Sequence, residues 1–311
     1  MTVRVVFFVD FGPSAGAGHL SRASTLARAM QERGASYEIY GSDGALIAVS
    51  EPTCSDQKPG GGPSRADIVI VDGLRFTPGD IESRRAQSAL FVVVDDLGSR
   101  PVECDILINP NIYGSRLLYA GYGFQQALLG PEWALIKPEF AAARSGRLRT
   151  SPRPLLSFGG GSTGAIAVDI AVRMAAIHRG PIDVAIGSLA DVGGANLPEN
   201  VQIHRDADMP SLMARATLFV GSLGVTFLEA LAADLPTIAV CVVANQKLAL
   251  DAARDLGVTA FERADAPSIA VAAIEALKYA SPLHFEQPDG HGAARTADAL
   301  LEALSVKRRK D

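Results

Sequence analysis

The chain has 311 residues and a formal net charge of −5 at pH 7, and 48% of its residues are apolar while 20% are charged. This composition excludes a disordered chain, provides for about two domains of roughly 150 residues each, and offers no electrostatic footprint for nucleic acid. The basic cluster from Lys307 to Lys310 at the C-terminus is interpreted as a solvated tail.

The first half of the chain predicts strands that alternate with helices. Val3–Val9 is a continuous apolar run, typical of a strand buried on both faces, and the Asp10 that follows argues against a signal peptide. After a glycine-rich loop, apolar residues at helical spacing predict a helix over Leu20–Glu32 that is capped by Gly34. Further strands are predicted at Ser36–Tyr40, Ile68–Val71, Leu90–Val94 and Ile106–Ile108. This order is the βαβ pattern of a parallel sheet.

The second half begins with the same three elements, a short strand at 155–158, a glycine loop at 159–164 and a helix at 165–177. Further strands are predicted at Asp183–Ile186, Leu218–Val220, Thr237–Val242 and Thr259–Phe261, and a last helix around Ala293–Leu304. Two such units about 150 residues apart predict an α/β protein of two Rossmann-like domains.

A Pro- and Arg-rich segment around 138–154 marks the predicted boundary between these domains. The expected division is a first domain at 1–148, a second domain at 149–282, and a C-terminal helix with the basic tail at 283–311.

The cysteines Cys54, Cys104 and Cys241 form no CxxC pair and have no histidine at ligand spacing. Neither a metal site nor a disulfide framework is therefore expected, and a reducing, cytoplasmic location fits best. The longest apolar stretch, near 235–244, is too short to span a bilayer. No cofactor and no membrane partner is expected.

The two glycine loops, at 12–19 and 159–164, each follow a strand and open a helix. A helix N-terminus offers free N–H groups to an anion, so the pair indicates ligand binding, although the glycines could also serve only as tight turns. If the domains face each other, both loops would meet across one cleft. A dinucleotide site is the rival interpretation, but Ser21 stands at the third glycine position and the chain has no Gly-Lys-Ser/Thr.

His19 stands where the first loop becomes helix, with Arg22 one turn later on the same face. The helix N-terminus and the neighbouring cation both oppose protonation, so the imidazole is expected to be neutral at pH 7 and able to accept a proton. A histidine that only packs or caps is the alternative. For a partner that orients the ring, the sequence offers Asp72, Asp95 and Asp96, all at strand ends.

A set of motifs, in order from about residue 4 to 246, resembles PseG-type nucleotide-sugar hydrolases and spore-coat polysaccharide proteins. The motifs are Gly16-Ala-Gly18-His19-Leu-Ser-Arg22, Val93-Val-Asp95-Asp96, Asn109-Pro-Asn111, Leu129-Gly-Pro131, Pro138-Glu-Phe140, Ser157-Phe-Gly-Gly-Gly161, Gly221-Ser-Leu-Gly-Val-Thr226-Phe-Leu-Glu229 and Ala244-Asn245-Gln246. The resemblance implies a GT-B architecture similar to MurG, in which two Rossmann-like domains enclose a nucleotide-sugar cleft. It also implies that the first domain carries the sugar and the catalytic base, and the second the nucleotide.

The same resemblance implies residue roles. His19 would activate a water molecule, Glu229 would bind the ribose hydroxyls, and Met209 would offer backbone groups to uracil. Gly159, Gly160 and the turn before Thr226 would hold the diphosphate without a metal ion, and Asn245 and Gln246 would face the sugar. The residues expected at the substrate are thus Gly16, Gly18, Arg22, Asp72, Gly159, Gly160, Met209, Gly224, Thr226, Glu229, Asn245 and Gln246.

At two places the sequence departs from the hydrolase pattern. Leu74 stands where the hydrolases have a tyrosine, and Asn109-Pro-Asn111 is closer to the spore-coat group. The leading hypothesis is a hydrolase that releases UDP from a UDP-linked amino or deoxy sugar in surface-polysaccharide or pseudaminic acid-like synthesis. The alternatives are a glycosyltransferase with a UDP-sugar donor and a non-catalytic nucleotide-sugar-binding protein.

Overall fold

A computed structural model describes residues 2–12, 16–49, 65–117, 119–145, 151–159, 163–187, 196–279, 285 and 287–309. The chain divides into two compact units. The first unit comprises Met1–Ala15, His19–Leu135 and His291–Asp311, and the second comprises Ile136–Gly290 together with Gly16–Gly18.

The strands, in chain order, are β1 (Arg4–Val9), β2 (Ser36–Gly41), β3 (Leu46–Val49), β4 (Ala66–Asp72), β5 (Ser88–Val94), β6 (Ile106–Asn109), β7 (Gln126–Leu129), β8 (Pro154–Ser157), β9 (Ile182–Ile186), β10 (Val201–Arg205), β11 (Leu218–Ser222), β12 (Thr237–Val240) and β13 (Thr259–Phe261). The helices are α1 (Gly18–Gln31), α2 (Pro78–Arg85), α3 (Pro138–Ser145), α4 (Gly164–Ala175), α5 (Met209–Arg215), α6 (Val225–Ala232), α7 (Lys247–Asp255), α8 (Ala266–Tyr279) and α9 (Gly292–Arg308). The predicted α/β alternation is confirmed.

The first unit is built on a sheet of order β3-β2-β1-β4-β5-β6-β7, in which only the β2–β3 pair is antiparallel. Strand β1, an inner strand of this sheet, is buried on both faces, with Phe7 in one core cluster and Phe8 in the other. This explains why the strand has no polar alternation. Helix α1 ends at Gln31, and Gly34 adopts the left-handed φ of +83° that a glycine tolerates best at a helix end.

The last helix, α9, completes the core of this unit. Its buried residues Ala293, Ala297, Leu300 and Leu304 recur at helical spacing and pack in the same cluster as β1 and α1. Lys307 forms an ion pair with Asp105 at 2.7 Å, and Arg308 pairs with Asp67. The interpretation of the basic cluster as a solvated tail is therefore wrong for these two side chains.

The second unit holds an all-parallel sheet of order β10-β9-β8-β11-β12-β13. The chain extends from β8 toward one edge through β9 and β10, and then toward the other edge through β11, β12 and β13. The strand order therefore reverses between β8 and β11, and in such sheets ligands bind beyond the carboxyl ends of the strands at that point.

The compact units divide the chain at 135/136 rather than at 148/149, because α3 packs on α5 and α6 of the second unit. The division at the C-terminus differs as well, since the chain leaves the second unit at Gly290. Three strands were not predicted from the sequence: β3, β7 and β10. β7 and β10 contain polar residues, whereas β3 is an apolar run of four residues that the sequence analysis did not assign.

Candidate active site

The carboxyl edge of the first sheet gathers polar side chains from four neighbouring strands. Asp10 follows β1, Asp72 ends β4, Asp95 follows β5, and Asn109 ends β6, and all four residues are buried. Because these strands are parallel neighbours, the side chains meet at one edge of the sheet.

His19, the second residue of α1, lies against this edge, and its side chain is 13% exposed. Its Nδ1 is 2.7 Å from Oδ1 of Asp72. Burial alone would raise the pKa of Asp72, but the charges of Arg22 and His19 and their hydrogen bonds outweigh it and lower that pKa to about 2. Asp72 is thus ionised and can only accept. Nη2 of Arg22 also lies 3.0 Å from Nδ1 of His19, but both of its N–H bonds are directed to oxygens of Asp72 and Asp96, so the proton lies on Nδ1. The lone pair of the neutral ring is then on Nε2.

Arg22, one turn further along α1, is buried between two carboxylates. Its Nε donates to Oδ2 of Asp72 at 2.6 Å, and Nη2 donates to Oδ1 of the same carboxylate. Its Nη1 and Nη2 donate to the two oxygens of Asp96 at 2.8 and 2.9 Å. Four of the five N–H bonds of the guanidinium are thereby used. Arg22, predicted at the substrate, is here the counter-ion of two aspartates.

The surroundings of His19 differ in charge from what the sequence suggested. The Arg22 guanidinium was expected to be the neighbouring charge, yet Asp72 and Asp96 together outweigh it, so the three side chains carry a net charge of −1. Of the three aspartates named as possible partners of the ring, Asp72 makes the contact. Asp95 instead accepts from Leu97 N and from the hydroxyl of Tyr122.

Two large apolar side chains are exposed at the same edge of the sheet. The backbone N–H groups of Leu74 and Arg75 donate to Oδ2 of Asp10 at 2.7 and 2.9 Å, which holds the turn after β4. Leu74 is 36% exposed, and Phe11, the residue after Asp10, is 47% exposed. The position at which the hydrolases have a tyrosine hydroxyl thus presents an apolar surface.

In the second unit, Glu229 is buried on α6 and is not the exposed helix carboxylate that its position alone allowed. Burial raises the pKa of Glu229 to about 7, while the charge of Lys137 and the hydrogen bond from the Thr226 hydroxyl lower it only in part. The carboxyl group is therefore poised between its two protonation states near neutral pH.

Lys137 is a residue that the sequence analysis missed. Helix α3 packs on α6, and Arg144 near the C-terminus of α3 donates to the backbone carbonyl of Ala232 at the C-terminus of α6. The C-termini of the two helices therefore lie close together. Lys137 directly precedes α3 and is exposed, and its charge lowers the pKa of both Glu229 and Asp208. The sequence offered one signal, which is that Lys137 stands directly before the Pro138-Glu-Phe140 motif, but the resemblance gave the lysine no role.

The remaining predicted residues of this unit lie at helix starts near the carboxyl edge of the second sheet. Met209 is the first residue of α5, which Asp208 caps, and Gly224 is the N-cap of α6. Gly159, in the left-handed region at φ +87°, follows β8, whereas Gly160 lies outside the described residues.

Asn245 and Gln246 form a short 3₁₀ turn before α7. Asn245 is exposed, while the side-chain oxygen of Gln246 accepts from Val242 N at 2.9 Å, which leaves its amide group as a donor. A cavity of about 550 Å³ opens beside this turn and is lined by Ile166, Cys241–Ala244, Lys247 and Glu262–Ala264.

Gly16 and Gly18, also predicted at the substrate, lie at the start of α1, and Gly16 adopts a φ of +75°. Among the residues that the structure describes, no three His, Cys, Asp or Glu side chains come together as metal ligands. Within those same residues, no helix is long and apolar enough to cross a membrane.

Comparison with known proteins yields similar structures but no relative by sequence: no family model and no curated protein matches the chain. MurG of Acinetobacter baumannii matches over 99% of both chains, with 13% identity and a TM-score of 0.57. The spinosyn rhamnosyltransferase SpnG, complexed with thymidine diphosphate, matches over 98% of this chain and 96% of its own, with 13% identity and a TM-score of 0.59. The UDP-GlcNAc 2-epimerase of Methanocaldococcus jannaschii, in complex with UDP-GlcNAc and UDP, matches over 96% of this chain and 100% of its own, with 11% identity and a TM-score of 0.61. The chain has the GT-B fold, with two parallel-sheet α/β domains.

Proposed function

We propose that this chain is a glycosyltransferase that takes a sugar from a UDP-sugar and transfers it to a hydroxyl group of an acceptor. The observation that carries the proposal is the contact between His19 and Asp72, which leaves a lone pair on Nε2 at the carboxyl edge of the first sheet. A neutral imidazole that is oriented by an ionised carboxylate is a general base.

In the proposed reaction, Nε2 of His19 takes the proton from the acceptor hydroxyl, and the hydroxyl oxygen bonds to the anomeric carbon of the sugar. The bond between that carbon and the diphosphate oxygen breaks, and its electron pair leaves with UDP. The ionised Asp72 stabilises the imidazolium that forms, since it faces Nδ1 at 2.7 Å. One positioned base of this kind contributes about 10²–10⁴-fold to a rate.

The second unit is the proposed nucleotide side. Glu229 as a carboxylate accepts hydrogen bonds from the two ribose hydroxyls, and the backbone groups at Met209 form hydrogen bonds with uracil. Backbone N–H groups at Gly159, Gly160 and the turn before Thr226 donate hydrogen bonds to the diphosphate and stabilise its negative charge without a metal ion. The similar structures support a nucleoside diphosphate as the ligand, because SpnG is complexed with thymidine diphosphate and the epimerase with UDP.

Transfer is favoured over hydrolysis by the apolar surface near the proposed base and by the transferases among the similar structures. Leu74 and Phe11 suit the apolar part of an acceptor molecule better than an ordered water. Hydrolysis is the second candidate, and the ordered motifs that resemble the PseG-type hydrolases support it. Both reactions use the same base and the same nucleotide.

The test is to measure UDP release from a panel of UDP-sugars, with CDP-, GDP- and TDP-sugars as controls, in the presence and absence of acceptor alcohols. Release that depends on an acceptor supports transfer, release into water alone supports hydrolysis, and tight binding without turnover overturns both. His19→Ala should abolish most of the activity. His178→Ala, outside the proposed site, is the matched control and should keep it.

A further inference from the structure

We propose that Asp96 is a positioning residue that makes His19 a stronger proton acceptor by acting through Arg22. The proposal rests on the function assigned above to His19, but its main test needs no substrate. Asp96 contacts Arg22 and Asn111, and reaches the imidazole only through Arg22.

The first step is the geometry of the Arg22 guanidinium. One fork, Nε and Nη2, holds both oxygens of Asp72, and the other, Nη1 and Nη2, holds both oxygens of Asp96. Two bidentate pairs on one planar group fix its plane. The carboxylate plane of Asp72 is fixed with it, so that Oδ1 faces Nδ1 of His19.

The second step is the charge. With Asp72 alone, the guanidinium would cancel the negative charge that should stabilise the imidazolium. Asp96 offsets the guanidinium and restores a net charge of −1 beside the ring. The side chains of Arg22 and Asp72 are 6% and 2% exposed, and at this burial solvent screens the charges only weakly.

The third step is that Asp96 is itself held in place. The side-chain amide of Asn111 donates to Oδ1 of Asp96 at 2.7 Å and to the side-chain oxygen of Asn109 at 2.8 Å. The buried Asn109 amide donates to the hydroxyl of Tyr119 and to the backbone carbonyl of Asp96. The chain of contacts from β6 to His19 is therefore continuous.

The fourth step separates Asp96 from its neighbour. Asp95 is equally an aspartate at the end of β5, but it accepts from the backbone N–H groups of Leu97 and Gly98 and from Tyr122. It contacts neither Arg22 nor His19 by any of these bonds. Asp95→Asn is thus the matched control for Asp96→Asn.

The experiment is a pH titration of the ring nitrogens of His19 by NMR of the ¹⁵N-histidine-labelled, ligand-free protein, with the signal assigned by its loss in His19→Ala. Asp96→Asn should move the midpoint of the His19 titration to lower pH by roughly half a unit to one unit, because the imidazolium loses the offsetting charge. Asp96→Glu keeps the carboxylate and should restore the midpoint. Asp95→Asn should leave it unchanged, and Asp72→Asn should shift the neutral ring toward the Nε2–H tautomer.

The proposal is overturned if folded Asp96→Asn titrates like the unchanged protein, or if Asp95→Asn shifts the midpoint as much. A thermal melt of each variant identifies one that has not folded. If Asp96→Asn has not folded, the Asp96→Glu variant decides, because the proposal requires that it titrate like the unchanged protein. If the titration shifts as expected while no UDP-sugar is consumed, the proposed function fails and the positioning role stands.

Discussion

Two buried carboxyl groups, Asp72 in the first unit and Glu229 in the second, have pKa values shifted in opposite directions. Asp72 in the first unit is 1% exposed and its pKa is lowered to about 2, whereas Glu229 in the second is 9% exposed and its pKa is raised to about 7. Asp72 touches the guanidinium of Arg22 and the ring of His19, while Glu229 has the hydroxyl of Thr226 as its hydrogen-bond partner.

The difference shows that burial does not set the charge of a carboxyl group by itself; its partners do. With a pKa of about 2, Asp72 is ionised at neutral pH, as the proposed role of His19 as a base requires. With a pKa of about 7, Glu229 is only partly ionised there, and under the proposed function it becomes fully charged when the ribose hydroxyls donate to it.

The largest expected effect is on turnover, and it comes from removing the negative charge of Asp72. In Asp72→Asn, the Arg22 guanidinium holds the amide oxygen, so the amide N–H faces Nδ1 of His19 and favours the wrong tautomer. Turnover should fall about 10³-fold, which corresponds to roughly 4 kcal/mol of barrier, with UDP affinity nearly unchanged. Steady-state kinetics and UDP titration measure the two quantities.

Asp183→Asn is the matched control for that variant. Asp183 is a fully buried aspartate that also pairs with arginine and histidine, here Arg153, Arg215 and His204, but it lies in the second unit outside the proposed site. Its loss should lower the melting temperature and leave turnover per folded molecule intact. Equal loss of turnover in both variants would contradict the role of Asp72.

The second effect tests the other carboxylate. Glu229→Ala should weaken UDP binding by about 1.5–3 kcal/mol, because a charge-assisted hydrogen bond to the ribose is lost. Calorimetry in EDTA measures it and tests the metal-free site at the same time. Binding that appears only after magnesium is added would contradict the metal-free assignment.

The third effect follows from the raised pKa of Glu229. Ribose hydroxyls donate to the carboxylate, so UDP binding favours the ionised form and releases a proton wherever the free protein is protonated. With a pKa of about 7, UDP affinity should rise about tenfold from pH 6 to pH 8 and then level off. Calorimetry in buffers of different ionisation enthalpy counts the protons released. Glu229→Gln should lose this tenfold rise and keep only the smaller change that comes from the terminal phosphate of UDP, whose own pKa is about 6. A rise that persists at full size would assign the pH dependence to another group.

The smallest effect concerns Lys137. Lys137→Met keeps the length of the side chain and removes its charge, which lowers the pKa of Glu229 in the unchanged protein. The pKa of Glu229 should therefore rise in the variant, and the rise of UDP affinity with pH should move to higher pH, by a few tenths of a unit for an exposed lysine. Lys247→Met, which removes a lysine paired with Asp251, is the control that should not move it.

Much of this arrangement was readable from the sequence. The apolar runs predicted ten of the thirteen strands that the structure describes, all but β3, β7 and β10, and the place of His19 between loop and helix marked it as a candidate base. The resemblance implied the GT-B fold. Asp72 was recognisable as a strand-end carboxylate because it directly follows the apolar run Ile68–Val71.

The sequence could not decide which of three strand-end aspartates would contact the ring, because that depends on the pairing of β1 with β4 and on the tilt of α1 across them. The ion pairs of Arg22 with Asp72 and Asp96 could not be predicted for the same reason, because the two aspartates lie 50 and 74 residues away along the chain. Lys137 was missed because an exposed lysine before a helix carries no pattern of its own. Its significance arises only from the packing of α3 on α5 and α6.

The return of α9 to the first unit has a consequence for synthesis on the ribosome. The second unit, apart from Gly16–Gly18, is continuous from Ile136 to Gly290, so it can fold as soon as that stretch has emerged. The first unit lacks Ala297, Leu300 and Leu304 of its core until α9, which follows the second unit in the chain, has emerged. N-terminal domains usually fold first during translation, and here that order is reversed. A nascent chain halted before α9 should therefore protect the second unit from protease while the first unit, although made earlier, is still cleaved.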